Sequence, residues 1–368
     1  MSRARTAAVA VVVGGLAAAL GGCAVAGVDE GSTATQRVGV AMPTTTSLRW
    51  IADGENVTAQ LESLGHEVDL VYAEDDVPTQ VEQVQAMVDA GVDALVIGAI
   101  DGTALKGVLA EAGAADIPVI SYDRLIRDSA DIDYYATFDN ARVGVQQATS
   151  LLEGLGAVDA NGEDTDQDGP FAVELFAGSP DDNNATVFYE GAMSVLQPYL
   201  DEGVLVVPSG ETDFAAIATQ GWSGDTAAER MQTLMPAYAD LRLDGILSPY
   251  DGISLALLGV TAEAGYGTSA QPYPVVPGQD AEVPSVKSII AGEQHSTIYK
   301  DTRQLAEVAV SMVDALLRGE EPETNDVTSY DNGVMVVPSY LLAPQVVTAE
   351  NYQPVLVESG YYSEEELR

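Results

Sequence analysis

The chain has one cysteine, Cys23, in 368 residues, so no internal disulfide can brace it and the fold must hold by packing. It has two histidines, His66 in "SLGHEVDL" and His295 in "AGEQHSTI", both read as surface residues; neither sits in a zinc-binding pattern. No nucleophile elbow and no P-loop occurs. Basic residues are scarce: 15 Lys and Arg face 57 Asp and Glu, a net charge of -42. A phosphate backbone is repelled by such a chain, which excludes nucleic acid as a partner. Most of these carboxylates are read as solvated surface groups that aid solubility. Tryptophan is limited to Trp50 and Trp222.

What is present begins with a segment unlike the rest. "MSRAR" supplies two arginines, "TAAVAVVVGGLAAAL" is apolar but too short to span a bilayer, and "LGGC" ends at Cys23. This reads as a lipoprotein export signal over residues 1–22, with Cys23 acylated as the new N-terminus; the alternative is a short membrane helix with a buried thiol. Residues 23–35, small and polar, read as a flexible tether. The glycines of "VVVGGLAAALGG" are not a nucleotide fingerprint, because no strand, turn and helix surround them.

From residue 38 onward, short apolar runs alternate with longer amphipathic stretches. "VGVAM", "VDLVYA", "ALVIGAI", "PVISY" and "DYYATF" form one series; "FAVELFAG", "VLVVPSG", "GILSPY", "YPVVPGQD" and "STIYK" form another. Continuous apolar runs separated by helices indicate parallel strands covered on both faces. Two Rossmann-like α/β lobes are expected, since the length exceeds what one core usually fills. Ligands of open α/β sheets bind beyond the carboxyl ends of the strands. Polar residues recur there: Arg49 and Trp50, Asp101, Asp123 and Arg124, Asp139 and Asn140, then the run Asp181 to Asn184, Asp251, Gln279 with Asp280, and Lys300. Any one of them could be a turn former or helix cap. Together they suit the hydroxyls of a sugar, Asp accepting and Arg or Lys donating, with a tryptophan face for the C–H side. Adjacent Asp181 and Asp182 could imitate a glycosidase pair, but a cap beside a ligand-facing residue is the simpler reading.

With these residues collected, the chain resembles a type I periplasmic binding protein, the sugar-binding component of an ABC importer, nearest to the multiple-monosaccharide-binding and xylose-binding branches. The likeness rests on "VGVAMPTTTSLRWIADGENV", "VISYDRLI", "YYATFDNARVGVQQA", "GSPDDNNA", "LSPYDG", "GQDAEVPSVKSIIAGEQ", "YKDTRQLA" and "VPSYLL". It implies two lobes with parallel-rich sheets, joined by a three-crossing hinge that closes over a monosaccharide. The N-terminal lobe would comprise residues 36–139 plus about 301–332, and the C-terminal lobe 140–300 plus about 333–368, with crossings near residues 138–143, 300–303 and 330–338. By similarity, Arg49, Trp50, Asp123, Arg124, Asp139 and Asn140 contact sugar from the first lobe. Asn183, Trp222, Asp251, Asp280 and Lys300 do so from the second. Relatives usually carry Asn where this chain has Tyr250, which leaves Tyr250 or Asp251 as the sugar contact. A calcium loop like that of galactose-binding relatives is suggested by Asp164, Asp166 and Asp168 before Gly169, with Asp244 as a distant carboxylate. Leu175, at the twelfth position, departs from the pattern. No cofactor is required, and the expected partners are a monosaccharide and the permease subunits of an importer. The expected state is a monomer that catalyses nothing, lipid-anchored on the outer face of the cytoplasmic membrane. A sugar sensor that presents its closed form to a receptor is the alternative, and a secreted glycosidase a distant third.

Overall fold

Strand β3 (Ala94–Ile97) shows how the first sheet is built: "ALVI" is buried at every position, as a strand covered on both faces requires. The computed structural model describes residues 35–167 and 169–368. The export signal, Cys23 and Asp168 lie outside the described residues, as does all but residue 35 of the tether. Residues Thr35–Arg368 form one compact unit.

In chain order the first series is β1 (Arg37–Met42), α1 (Leu48–Ser63), β2 (Glu67–Tyr72), α2 (Val77–Ala90), β3, α3 (Lys106–Ala114), β4 (Val119–Tyr122) and β5 (Tyr134–Phe138). Next come α4 (Asn140–Leu155), β6 (Phe171–Leu175), α5 (Asn183–Asp201), β7 (Leu205–Val206), α6 (Phe214–Ile217), α7 (Gly224–Leu234), β8 (Gly245–Leu247), α8 (Asp251–Glu263), α9 (Val283–Ala291) and β9 (Ser296–Tyr299). The chain closes with α10 (Thr302–Leu317), β10 (Ser339–Leu342) and β11 (Gln345–Thr348).

The first sheet is parallel, in the order β10-β5-β4-β3-β1-β2. One face packs on α2 and α3 through Val84, Met87 and Leu109. The other packs on α1 and α10 through Val57, Leu61, Leu305 and Ala309. The second sheet, β7-β6-β8, is also parallel, with α4 and α5 on one face and α7 and α8 on the other. Helix starts follow their sequence signals: Asp76 caps α2 by accepting from the Thr79 N–H, and Asp139 caps α4 by accepting from that of Arg142.

A separate two-stranded sheet, β11-β9, belongs with the second sheet's side, and the chain passes between that side and the first sheet at residues 138–140, 300–302 and 342–345. The third passage is later than the expected 330–338, and residues up to 342 stay with the first sheet. The cause is β10, whose Ser339–Leu342 pairs in parallel register with Tyr135–Phe138 of β5. Only then does β11 cross to pair antiparallel with β9. The expected strand over "YPVVPGQD" shrinks to a single bridge from Val275 to Gly245, because Pro274 and Pro277 have no N–H to donate.

Candidate functional site

Between the carboxyl ends of the two sheets lies a cavity of about 400 Å³. From the first sheet's side it is lined by Arg49 and Trp50 at the start of α1 and by Asp123 and Arg124 beyond β4. Trp222, Tyr250, Asp280 and Lys300 line it from the other side.

Arg49 is the hub. Its guanidinium donates to Asp123 at 2.5 Å, meets Asp53 one helical turn on at 2.9 Å, and lies 3.9 Å from Asp280. All four side chains are buried. Lys300 approaches Asp280 at 2.8 Å, and Arg124 pairs with Asp182 at 3.0 Å across the cleft. Both guanidiniums lie against Trp50, at 4.7 Å and 5.2 Å from its ring centre. Opposite stand Trp222 and its edge-on neighbours Phe188 and Tyr250.

Two carboxylates share the Arg49 charge and are driven apart in pKa. Burial pushes Asp123 up, but Arg49, then Lys300, hold it well below the usual carboxylate range. Burial dominates at Asp53, pushing it from 3.8 to about 7, and the Arg49 charge offsets that only in part; its other contact is a Tyr122 hydroxyl donating at 2.5 Å. In this window the folded protein binds a proton that the unfolded chain has released, so Asp53 makes stability fall as pH rises from about 4 to about 7. The slope from one group is at most ~1.4 kcal/mol per pH unit. Asp53→Asn is expected to flatten that part of the stability profile in denaturant titrations; identical profiles would refute the assignment.

Backbone strain marks the same place. Eight described residues other than glycine have positive φ, and four of them line the cavity: Asp75 (58°), Asp123 (59°), Trp222 (55°) and Asp280 (90°). Each such conformation costs of order 1 kcal/mol and persists where the surroundings demand it. At Trp222 the demand is steric: its ring lies over Gly178, where an added Cβ would sit 2.1 Å from the indole. Two polar atoms of the lining have no partner within the protein, Trp222 Nε1 and Gln279 Oε1, although Gln279 is 2% exposed. Such groups are costly unless a ligand engages them.

Other candidates serve as supports. Asp101 accepts from the N–H and hydroxyl of Thr103, and Asp139 is the α4 cap already described. Asn140 is buried and donates to Asn184, whose own amide donates to the Asp123 carbonyl at 2.8 Å. It is Asn184 that lines the cavity; Asn183 stands beside it on α5. Tyr250 lines the cavity, whereas Asp251 is fully buried outside the lining, accepting from the Glu282 N–H at 2.9 Å and from Gln294 at 3.2 Å. Asp251 therefore fastens the loop that carries Gln279 and Asp280.

Sequence reasoning left out Asp75, Asp182, Asn184, Phe188, Gln220 and Gln279 from the contacts. Asp75 follows β2, where the strand-end rule already pointed. Phe188 lies one turn beyond Asn184 on the same face of α5. Ser47 also lines the cavity, and its hydroxyl donates at 2.7 Å to Glu282 of the opposite side.

Of the suggested calcium ligands, Asp168 lies outside the described residues, and Asp164 and Asp244 are engaged by groups of the protein itself. Asp244 accepts from the Ala172 N–H at 2.8 Å and pairs with Arg242 at 2.5 Å, and Asp164 accepts from Tyr199 at 2.5 Å. Among the described residues no three His, Cys, Asp or Glu side chains gather as a metal site.

A buried, strained, charge-matched cleft between two parallel α/β sheets joined by three passages defines a solute-binding protein of the type I periplasmic binding fold. The family model described as "Periplasmic binding protein domain" matches residues 38–321, and the chain belongs to that family. It is 56% identical over 332 residues to the multiple sugar-binding periplasmic receptor ChvE of Rhizobium radiobacter, covering 90% of this chain and 92% of that one. It is 33% identical to the D-xylose-binding periplasmic protein of Escherichia coli, with 90% and 92% covered. A Clostridium phytofermentans ABC transporter solute-binding protein with bound β-D-glucose superposes with TM-score 0.84 at 45% identity, covering 90% of this chain and all of that one. These relatives are transport or receptor proteins, and the chain is a binding protein rather than an enzyme.

Proposed function

We propose that the cleft binds a monosaccharide, an aldose such as glucose, galactose, xylose or arabinose, and that the closed protein delivers it to the permease of an ABC importer. The observation that carries this reading is the buried set Arg49, Asp123, Asp280 and Lys300, acceptors and donors held 2.5 to 3.9 Å apart beside two tryptophans. A sugar hydroxyl both donates and accepts, so such a set can satisfy several of them at once. The contact residues proposed are Arg49, Trp50, Asp123, Arg124, Asn184, Trp222, Tyr250, Gln279, Asp280 and Lys300. The β-D-glucose bound in one relative and the D-xylose for which another is named support the same class.

Ser47 to Glu282 and Arg124 to Asp182 act as clasps that close the two lobes over the sugar. The three passages at residues 138–140, 300–302 and 342–345 serve as the hinge. Processing before Cys23 and its acylation would tether the protein to the outer face of the cytoplasmic membrane. A sensing role is favoured beside transport by one observation: the relative at 56% identity is itself named a receptor.

The test is a thermal-shift panel of glucose, galactose, xylose, arabinose, fucose and glucuronic acid. A ligand at a thousand times its Kd stabilises by ~4 kcal/mol, so at least one neutral aldose is expected to raise the Tm by several degrees. No shift with any of the six would overturn the reading.

A further inference from the structure

The cavity is larger than one sugar ring needs. Counting each CHOH unit of a hexose as roughly one water's share of liquid, ~30 Å³, a hexopyranose fills about 180 Å³. The cavity, at about 400 Å³, has space for two such rings. Its lining is graded in exposure. Arg49, Asp123, Phe188, Gln279, Asp280 and Lys300 are each at most 8% exposed. Thr46, Asp75, Gln220 and Gly221 line the same cavity and are exposed, so the cleft opens to solvent at that end.

The mouth is built of groups that suit more hydroxyls. Asp75 offers a carboxylate from the first lobe and Asp181 one from the second, the latter steadied by the Gln220 amide donating at 2.6 Å. Val77 adds an apolar wall. The three cations of the cavity are all spoken for deeper in, Arg49 by Asp53 and Asp123, Arg124 by Asp182 and Lys300 by Asp280. The mouth carries the carboxylates of Asp75 and Asp181 against one nearby cation, Arg124, which is already paired with Asp182, and this favours a neutral polyol over an anionic substituent.

We infer that the cleft also takes neutral disaccharides, one ring seated at the Arg49 end and the second lying in the mouth between Asp75 and Gln220. This rests on the monosaccharide reading of the buried end.

The test is calorimetric titration of the full chain with D-glucose, cellobiose and maltose, followed by displacement of the bound disaccharide with glucose. At least one disaccharide is expected to bind with one-to-one stoichiometry and to compete with glucose. Gln220→Trp, which narrows the mouth, is expected to lower the ratio of disaccharide to glucose affinity tenfold or more. Thr46→Trp, on the opposite wall, does the same if the first variant does not fold. Glucose binding with neither disaccharide binding would overturn the inference and leave the monosaccharide reading standing. So would a disaccharide that does not compete, or a ratio unmoved by both variants. Failure of glucose and every other aldose to bind would remove the monosaccharide reading, and the inference with it.

Discussion

Arg49→Ala is expected to lose sugar binding by a factor of a hundred or more and to lower the Tm by roughly 5 to 10 °C. The guanidinium is the shared counter-charge of Asp53 and Asp123, which are 0% and 4% exposed. Removing one partner of a buried pair leaves an uncompensated charge, at a cost of ~3–5 kcal/mol. Protonation of Asp53, already pushed up to about 7 by burial, will relieve part of that cost, so the defect should be smaller at low pH. Binding suffers separately, because Asp123 loses the bond that orients its carboxylate and Trp50 loses a cation from its face. Arg49→Lys should recover charge without the two-pronged contact and fall between the two. Calorimetry and thermal melts at pH 5 and pH 8 check this; an alanine variant with wild-type affinity would show that Arg49 is not the hub.

Gly144→Val should be the most damaging substitution outside the cleft. Helices α4 and α5 touch backbone to backbone: a Cβ on Gly144 would lie 2.0 Å from the Phe188 carbonyl oxygen, and one on Gly191 would lie 2.3 Å from that of Ala141. Neither neighbour is a flexible side chain that could swing away, so the helices must separate, at about 3 kcal/mol. The consequence reaches the site, since the first turn of α5 carries Asn184, which holds the Asp123 carbonyl, and α4 begins at the first passage between lobes. The urea midpoint should drop markedly with the slope unchanged, and sugar affinity should fall with it. Gly107→Ala is the control of opposite sign, because a Cβ there meets nothing and helix propensity improves by ~0.5–1 kcal/mol. Equal midpoints for wild type and Gly144→Val would contradict the packing argument.

The sheets were legible because their signals are local. "ALVI" and "VISY" are buried at all four positions, as continuous apolar runs imply. What local pattern could not show is which strand a distant segment joins. "SYLL" reads alike on either side of the hinge, and only its pairing with Tyr135–Phe138, some two hundred residues earlier, keeps it in the first lobe. The strand-end rule found the neighbourhood of the site but not the rotation of each side chain. In the run Asp181 to Asn184 the cap is Asp182 and the inward residue Asn184, a turn of about 100° per residue from the one expected. At Tyr250 and Asp251 the tyrosine faces the cleft and the aspartate fastens the loop behind it. For the acidic run near residue 164 the spacing resembles a calcium loop, while the structure shows Tyr199 donating to Asp164 and Arg242 paired with Asp244.

The two tryptophans of the chain, Trp50 and Trp222, both line the cavity, which makes intrinsic fluorescence a direct report on it. The decisive measurement is a fluorescence titration with D-glucose, galactose, xylose and arabinose, run on the wild type and on Asp280→Ala. A saturable change with at least one of these sugars, present in wild type and shifted at least a hundredfold to higher concentration in Asp280→Ala, is the result expected of a buried polar contact left unpaired. Flat fluorescence with all four sugars, or an identical titration in the variant, would contradict a sugar site built on Arg49, Asp280 and Lys300.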